Sequence, residues 1–195
     1  MAESEARPDA TGAASGYEVV VIGAGQAGLA IGCFLKRQGR RFVILEAADS
    51  IGAAWRDRWE SLTLFTPRRY SSLPGVPFPG DPDGYPKRDE VIGYLEQYAD
   101  KFELPIELKS RVRSLTADEG RFVLEVDGRT LTADQIVVAT GPFQTPYVPE
   151  VASRLRPDVF QPHRTGYRKP SDVPVGTVLV AFRDRQSRPP ADRSQ

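Results

Sequence analysis

The sequence predicts an α/β domain built on a parallel sheet, and three features near its start support this fold class. Tyr17–Ile22 contains a run of four aliphatic residues, and Phe42–Leu45 is apolar throughout, as in strands buried on both faces. Between them, Gln26–Gln38 places apolar residues at helical spacing and is followed by the helix-ending Gly39. Two buried strands joined by a helix form a β-α-β unit, in which the strands are parallel.

Composition excludes several classes of function. The chain has 195 residues, enough for one domain or one domain and part of another. Its 26 basic and 26 acidic residues balance, which predicts no nucleic acid or anionic membrane partner, and no apolar run reaches the length of a membrane span. A single cysteine, Cys33, and a single histidine argue against a His/Cys metal site. We expect a cytoplasmic protein with a small-molecule substrate and an unknown oligomeric state.

Both ends of the chain have the composition of disordered segments. Residues 1–16 are rich in Ala, Ser, Glu, Asp and Gly, and they lack the basic start and apolar run of a secretory signal. Residues 183–195 contain four Arg, two Pro and one apolar residue. We therefore expect a disordered leader over 1–16, a nucleotide-binding domain over 17–150, a connector into a second domain over 151–182, and a disordered tail.

The middle of the chain alternates loop, helix and short strands. Residues 51–86 are predicted to be mostly loop, since prolines and glycines recur there, and their aromatic residues favour an ordered segment that covers a surface. Asp89–Phe102 has the apolar stripe of an amphipathic helix. Further strands are predicted at 106–108, 112–115, 122–126, 135–139 and 177–182. An Asp127-Gly128 hairpin turn is predicted to lead from the strand at 122–126 towards residue 131.

The segment between the first strand and the first helix has the form G-x-G-x-x-G. The first glycine permits a tight turn, the second lets the backbone approach a pyrophosphate, and the third lets the helix pack closely on the strand. The helix N-terminus adds free N–H groups and a partial positive charge for the phosphates. We therefore predict a cofactor-binding turn made of Gly23, Ala24, Gly25, Gln26, Ala27 and Gly28. The alternative is a glycine-rich turn that binds no ligand.

An acidic residue stands where a nucleotide ribose would lie. Glu46 follows Gly28 by 18 positions and ends the second strand. A carboxylate there accepts hydrogen bonds from ribose hydroxyls and repels a 2′-phosphate, so it favours FAD or NAD over NADP. The alternative is an ordinary solvent-facing residue at a strand end.

Five stretches together resemble the flavin-containing monooxygenase family, and more closely its bacterial CzcO-like oxidoreductases. The resemblance runs from about residue 17 to residue 182. Its motifs are the glycine turn with Glu46, Gly52–Arg56, Ser61–Pro67, Ala139–Gly141, and Phe160–His163 with Tyr167.

The resemblance implies that the glycine turn binds FAD, that a second such turn binds NADPH, and that the reduced flavin then uses O2 to oxygenate a substrate. It also implies a segment around Trp55 that covers the flavin. The further cofactor-binding residues implied are Arg56, Thr66, Val112, Thr140 and Gly141. Phe65 replaces the Asn usual in the family, and no catalytic residue is identified.

The resemblance predicts a Rossmann-like, three-layer FAD-binding domain of the two-dinucleotide-binding flavoprotein type, with the NADPH domain largely absent. In the family a second glycine turn follows the strand that resembles Val175–Val180, whereas here Ala181-Phe182-Arg183 follows. We therefore expect the NADPH motif to be missing and NADPH-driven oxygenation to be impaired. A truncated or frameshifted chain would explain the change at Ala181.

Other interpretations stay open. The chain could be a non-catalytic remnant that binds FAD or nothing, or an NAD-dependent dehydrogenase domain, which the Trp55 loop and the Thr140-Gly141 step disfavour. Trp55 could be a packing aromatic, and Thr140-Gly141 a turn without a ligand. His163 is interpreted as a loop residue that holds domains together, and Cys33 as a small core residue.

Overall fold

The structure is a computed structural model that describes residues 15–141, 146–163 and 165–180. Its strands are β1 (Ser15–Ile22), β2 (Phe42–Leu45), β3 (Ile106–Glu107), β4 (Val112–Asp118), β5 (Arg121–Val126) and β6 (Arg129–Val138). Its α-helices are α1 (Gln26–Arg37), α2 (Ala53–Arg56) and α3 (Arg88–Lys101). Short 3-10 helices cover Arg68–Tyr70, Glu150–Arg154 and Pro170–Asp172.

The strands form one sheet in the order β3-β2-β1-β6-β5-β4. β3, β2, β1 and β6 run parallel, whereas β5 pairs antiparallel with both β4 and the first half of β6. β6 therefore belongs to both the parallel and the antiparallel part of the sheet: Ala133 pairs with Phe122 of β5, and Val138 pairs with Ile22 of β1. The predicted strand segments around 131 and at 135–139 are one strand, because β1 offers it a partner along almost its whole length.

Hydrophobic cores lie on both faces of the parallel strands. On one face of the parallel strands, α1 and α3 bury Leu29, Cys33 and Leu95 against β1 and β2. On the other face, side chains of β5 and β6, among them Leu124 and Leu131, pack against β1 and β2. Successive side chains of β1 enter the two cores alternately, as expected for a strand covered on both faces. The Rossmann-like α/β fold and the core position of Cys33 are confirmed.

The long loop over 51–86 is ordered by two tyrosines of α3. The Tyr94 hydroxyl donates to the Val76 carbonyl at 2.7 Å and accepts from the Leu73 amide at 2.6 Å. The Tyr98 hydroxyl donates to the Pro74 carbonyl at 2.8 Å. Burial raises the pKa of both tyrosines, so they stay protonated donors. The prediction of an ordered covering segment is confirmed.

Two strand predictions need correction. β1 begins at Ser15, within the predicted leader, because Ser15 and Gly16 pair with Leu131 and Thr132 of β6. Residues 177–180 form no strand in the structure, and Leu179 is 90 % exposed, since no described strand lies beside them to accept their backbone hydrogen bonds. The remaining leader, residues 1–14, and the tail lie outside the described residues. Of the described helices, none is both long and apolar enough to cross a bilayer.

Candidate functional site

The turn after β1 requires its first glycine. Gly23 has a φ of 106°, and its amide donates to the Leu45 carbonyl of β2 at 2.7 Å. A Cβ at this position would lie 2.6 Å from the Ala139 carbonyl oxygen. Any other residue would therefore be strained by its backbone angle and would also collide with the chain that follows β6.

The third glycine brings α1 against that turn. A Cβ on Gly28 would lie 1.8 Å from the Gly23 carbonyl oxygen and 3.6 Å from a Val21 methyl group. Close contact between the first helix and the first strand is what the glycine pattern predicts, and the structure has it.

The second glycine faces open space. Gly25 is the N-cap of α1, and beyond its own stretch of chain no described atom lies within 4 Å of the place where its Cβ would stand. The helix start has no side-chain cap and no acidic residue in its first turn, and Gln26 and Ala27 are exposed. Because the first amides of a helix have no partner inside the helix, this end suits an anionic group that approaches the backbone closely.

Glu46 lies directly against the glycine turn. Its Oε2 accepts a hydrogen bond from the Ala24 amide at 2.8 Å, and its Oε1 accepts one from the Ala48 amide at 2.9 Å. The residue is half-buried. Since an ionised carboxylate has about four lone-pair sites, these two bonds leave acceptor capacity on both oxygens for hydroxyl donors.

The backbone of Glu46 is fixed by the chain around β3. Its amide donates to the Glu107 carbonyl at 2.9 Å, and its carbonyl accepts from the Ser110 amide at 2.8 Å. Ser110 is buried and leads into Val112, which packs against the second core at the start of β4. Ser110 was not among the predicted site residues, because a single serine in a loop carries no signal in the sequence.

The Ala-Thr-Gly step reaches the same edge of the sheet. The Ala139 amide donates to the Ile22 carbonyl at 2.8 Å, and a Cβ on Gly23 would lie 3.3 Å from the Thr140 Cα. Gly141 has a φ of 75°. The structure thus places Thr140 beside the glycine turn, at the carboxyl ends of parallel strands, where open α/β sheets bind their ligands.

The residues predicted around a flavin ring lie on α2 and in the loop that follows it. Trp55 is partly buried against the first core, and Arg56 forms an ion pair with Glu96 of α3. The Thr66 carbonyl accepts from the Ser71 hydroxyl at 3.2 Å. The contacts seen among the described residues tie the Arg56 side chain to α3 and the Thr66 main chain to its own loop. Their role in binding stays a prediction.

His163 makes a local contact. Its Nδ1 lies 3.0 Å from the Thr165 hydroxyl oxygen, within a turn of the connector. Its predicted role in holding domains together stays a prediction. Within the described ranges, His, Cys, Asp and Glu side chains form no group of three suited to a metal ion.

The sequence matches the pyridine nucleotide-disulphide oxidoreductase family over residues 20–180. It is 49 % identical over 163 residues to an uncharacterized CzcO-like oxidoreductase of Geobacillus kaustophilus. The aligned residues make up 84 % of this chain and 47 % of that protein. Similar shares hold for CzcO proteins of two Bacillus species, so the chain spans about half the length of the curated relatives it matches.

The fold is also similar to solved structures. A flavin-containing monooxygenase from Stenotrophomonas maltophilia superposes with a TM-score of 0.66 and 43 % identity over 70 % of this chain and 42 % of the other. An oxidized steroid monooxygenase bound to NADP superposes with a TM-score of 0.63 and 32 % identity over 69 % of this chain and 28 % of the other. The glycine turn, Glu46 and Thr140 all lie within the matched family region.

Proposed function

Because this chain belongs to the pyridine nucleotide-disulphide oxidoreductase family, as a CzcO-like relative of the flavin monooxygenases, we propose that it binds FAD at the Gly23–Gly28 turn. The observation that carries the proposal is the open space above Gly25 at an uncapped helix start, with the Glu46 carboxylate bonded to the neighbouring Ala24 amide. A diphosphate needs the first two features, and the adjoining ribose needs the third.

In this proposal, different residues contact different parts of the FAD molecule. The α1 amides would hold the diphosphate, and Glu46 would accept from the ribose hydroxyls on the side that leads to Val112 and the adenine. Thr140 and Gly141 would border the middle of the cofactor at the carboxyl end of β6. Trp55, Arg56 and Thr66 would border the flavin ring.

An oxidoreductase role follows from the cofactor, since bound FAD supplies the electron transfer that the protein side chains cannot. The family is one of flavin-dependent oxidoreductases and monooxygenases. We propose a small-molecule substrate and a cytoplasmic location. The sequence contains one G-x-G-x-x-G fingerprint, at Gly23–Gly28, and we propose that the NADPH motif of the family is missing. We therefore propose that NADPH-driven turnover by this chain alone is impaired.

Anaerobic mixing with NADPH tests the functional proposal. The FAD-loaded chain should keep its visible flavin absorption when NADPH is added and should lose it when dithionite is added, which shows that the flavin is accessible to a reductant. Rapid bleaching by NADPH would contradict the proposed impairment.

A further inference from the structure

The connector returns to the loop that directly follows α2. The Arg168 guanidinium donates to the Asp57 carbonyl and lies 3.4 Å from the Asp57 carboxylate, across 111 residues of sequence. The Arg168 carbonyl in turn accepts from the Glu60 amide at 2.8 Å. Both the backbone and the side chain of one residue therefore hold the two ends of segment 57–60.

The connector is itself fixed around Arg168. The Asp172 carboxylate accepts from the Arg168 and Lys169 amides at 2.9 and 3.0 Å, at the start of the 3-10 helix Pro170–Asp172. The Arg168 guanidinium also donates to the Thr165 carbonyl at 2.9 Å. These bonds hold the arginine side chain in one orientation, so it reaches the loop from a defined turn.

Segment 57–60 is also held by α3. The Arg88 guanidinium donates to the Arg58 carbonyl at 3.1 Å. The segment is joined to α2 by the bond from the Arg58 amide to the Trp55 carbonyl at 2.9 Å. Segment 57–60 is thus clamped between α3 and the connector, one turn after Trp55.

We propose that Arg168 is a positioning residue that fixes the end of α2 and through it the orientation of Trp55 towards the flavin. This inference rests on the proposed function and assigns the connector a part in forming the flavin site. The planar fork of an arginine supports the geometry, since it donates to two acceptors at once. The main-chain acceptor matters more than the Asp57 carboxylate, which is 80 % exposed and at long range.

The test compares Arg168→Ala with the unchanged chain by FAD titration and by tryptophan emission. Both tryptophans of the chain, Trp55 and Trp59, lie beside the clamp, so their emission reports on it without any ligand. Because the guanidinium is partly exposed, we expect about a three- to fivefold rise in the Kd for FAD. The emission should shift to the red, the thermal unfolding midpoint should change little, and Arg168→Lys should restore part of both effects.

Two control variants separate this role from a general loss of charge. Arg156→Ala removes another exposed ion pair of the connector, with Asp158 at 3.2 Å, and should change neither readout. Asp57→Asn keeps the main-chain acceptor and should have at most a small effect. Unchanged emission and FAD affinity in Arg168→Ala would overturn the inference, as would an equal effect of Arg156→Ala. If the unchanged chain does not bind FAD, the proposed function fails, while a red shift confined to Arg168→Ala would still support the clamp.

Discussion

Gly28 packs so closely on Gly23 that a Cβ on the helix residue would lie 1.8 Å from the carbonyl oxygen of the turn residue. The two glycines are therefore one structural unit: the first makes the turn after β1, and the third lets α1 start directly above it. The open space over Gly25 exists because these two contacts hold the turn on either side.

Gly28→Ala should lower the free energy of unfolding by about 1–3 kcal/mol, because the added methyl group overpacks a backbone contact that has no room to relax. Urea unfolding measures this. Gly93→Ala on α3 is the matched control, since nothing outside its own helix turn lies within 4 Å of its Cβ position, and it should be neutral or stabilising. Equal stability of both variants would contradict the packing account.

Gly25→Val should abolish FAD binding and leave the fold intact. Its φ of −78° suits any residue, and the added side chain enters space that the structure leaves for a ligand rather than for protein. FAD titration and circular dichroism of the same preparation check both halves of this prediction. Gly93→Val, at an equally open position on α3, should bind FAD normally. Normal binding by Gly25→Val would refute the assignment of the turn.

Glu46→Ala should weaken FAD binding by about tenfold or more, the effect expected for the loss of a charge-assisted hydrogen bond. Glu46→Gln keeps one acceptor oxygen, so its affinity for FAD should lie between those of the unchanged chain and of Glu46→Ala. The control is Glu18→Ala, in the middle of β1, which also removes a carboxylate bonded to a backbone amide, that of Arg41 at 2.7 Å. Equal FAD affinity in the two alanine variants would remove Glu46 from the ribose site.

The sequence predicts the parallel half of this domain well because its signals are local. The aliphatic run before Gly23, the helical spacing after Gly25 and the position of Glu46 all describe contacts within one β-α-β unit. The shared role of β6 could not be predicted in the same way. Its pairing with β5 is local, because the predicted Asp127-Gly128 hairpin turn joins the two strands. Its pairing with β1 joins residues more than 100 positions apart, and nothing near residues 129–138 records that β1 will lie beside them.

The candidate site likewise has features that the sequence predicts and one that it does not. The glycine turn and its acidic partner are recognisable from spacing, and the structure brings Ala24 and Glu46 to 2.8 Å. The clamp formed by Arg168 was not predicted, because an arginine in a polar loop is common and its acceptor is 111 residues away. Contacts between two irregular segments leave no periodic pattern in a sequence.

Acid should loosen the long loop through Glu90. The Lys87 amide and the Arg68 guanidinium hold the pKa of this carboxyl below its ordinary value of 4.5. A lowered folded-state pKa means that the stabilisation is complete above the unfolded-state value and is lost as the pH falls through the folded-state value. The Arg68 side chain is only 13 % exposed, so protonation of Glu90 leaves a nearly buried guanidinium without its counter-charge.

Urea unfolding measured from about pH 7 down to about pH 3 checks this linkage. Glu90→Gln should be less stable near neutral pH by about 1 kcal/mol or less, since its ion pair is partly exposed, and it should lose less stability on acidification than the unchanged chain. Parallel pH profiles for the two proteins would show that the pair contributes nothing.

The most direct test of the central claim is a titration of the purified chain with FAD, followed by visible absorbance and by thermal unfolding. We expect a saturable, stoichiometric flavin spectrum and a rise in the unfolding midpoint, since a ligand at 100 times its Kd stabilises a folded protein by about 2.7 kcal/mol. A folded chain that gains neither colour nor thermal protection at saturating FAD would contradict the claim that Gly25 and the start of α1 form a flavin-nucleotide site.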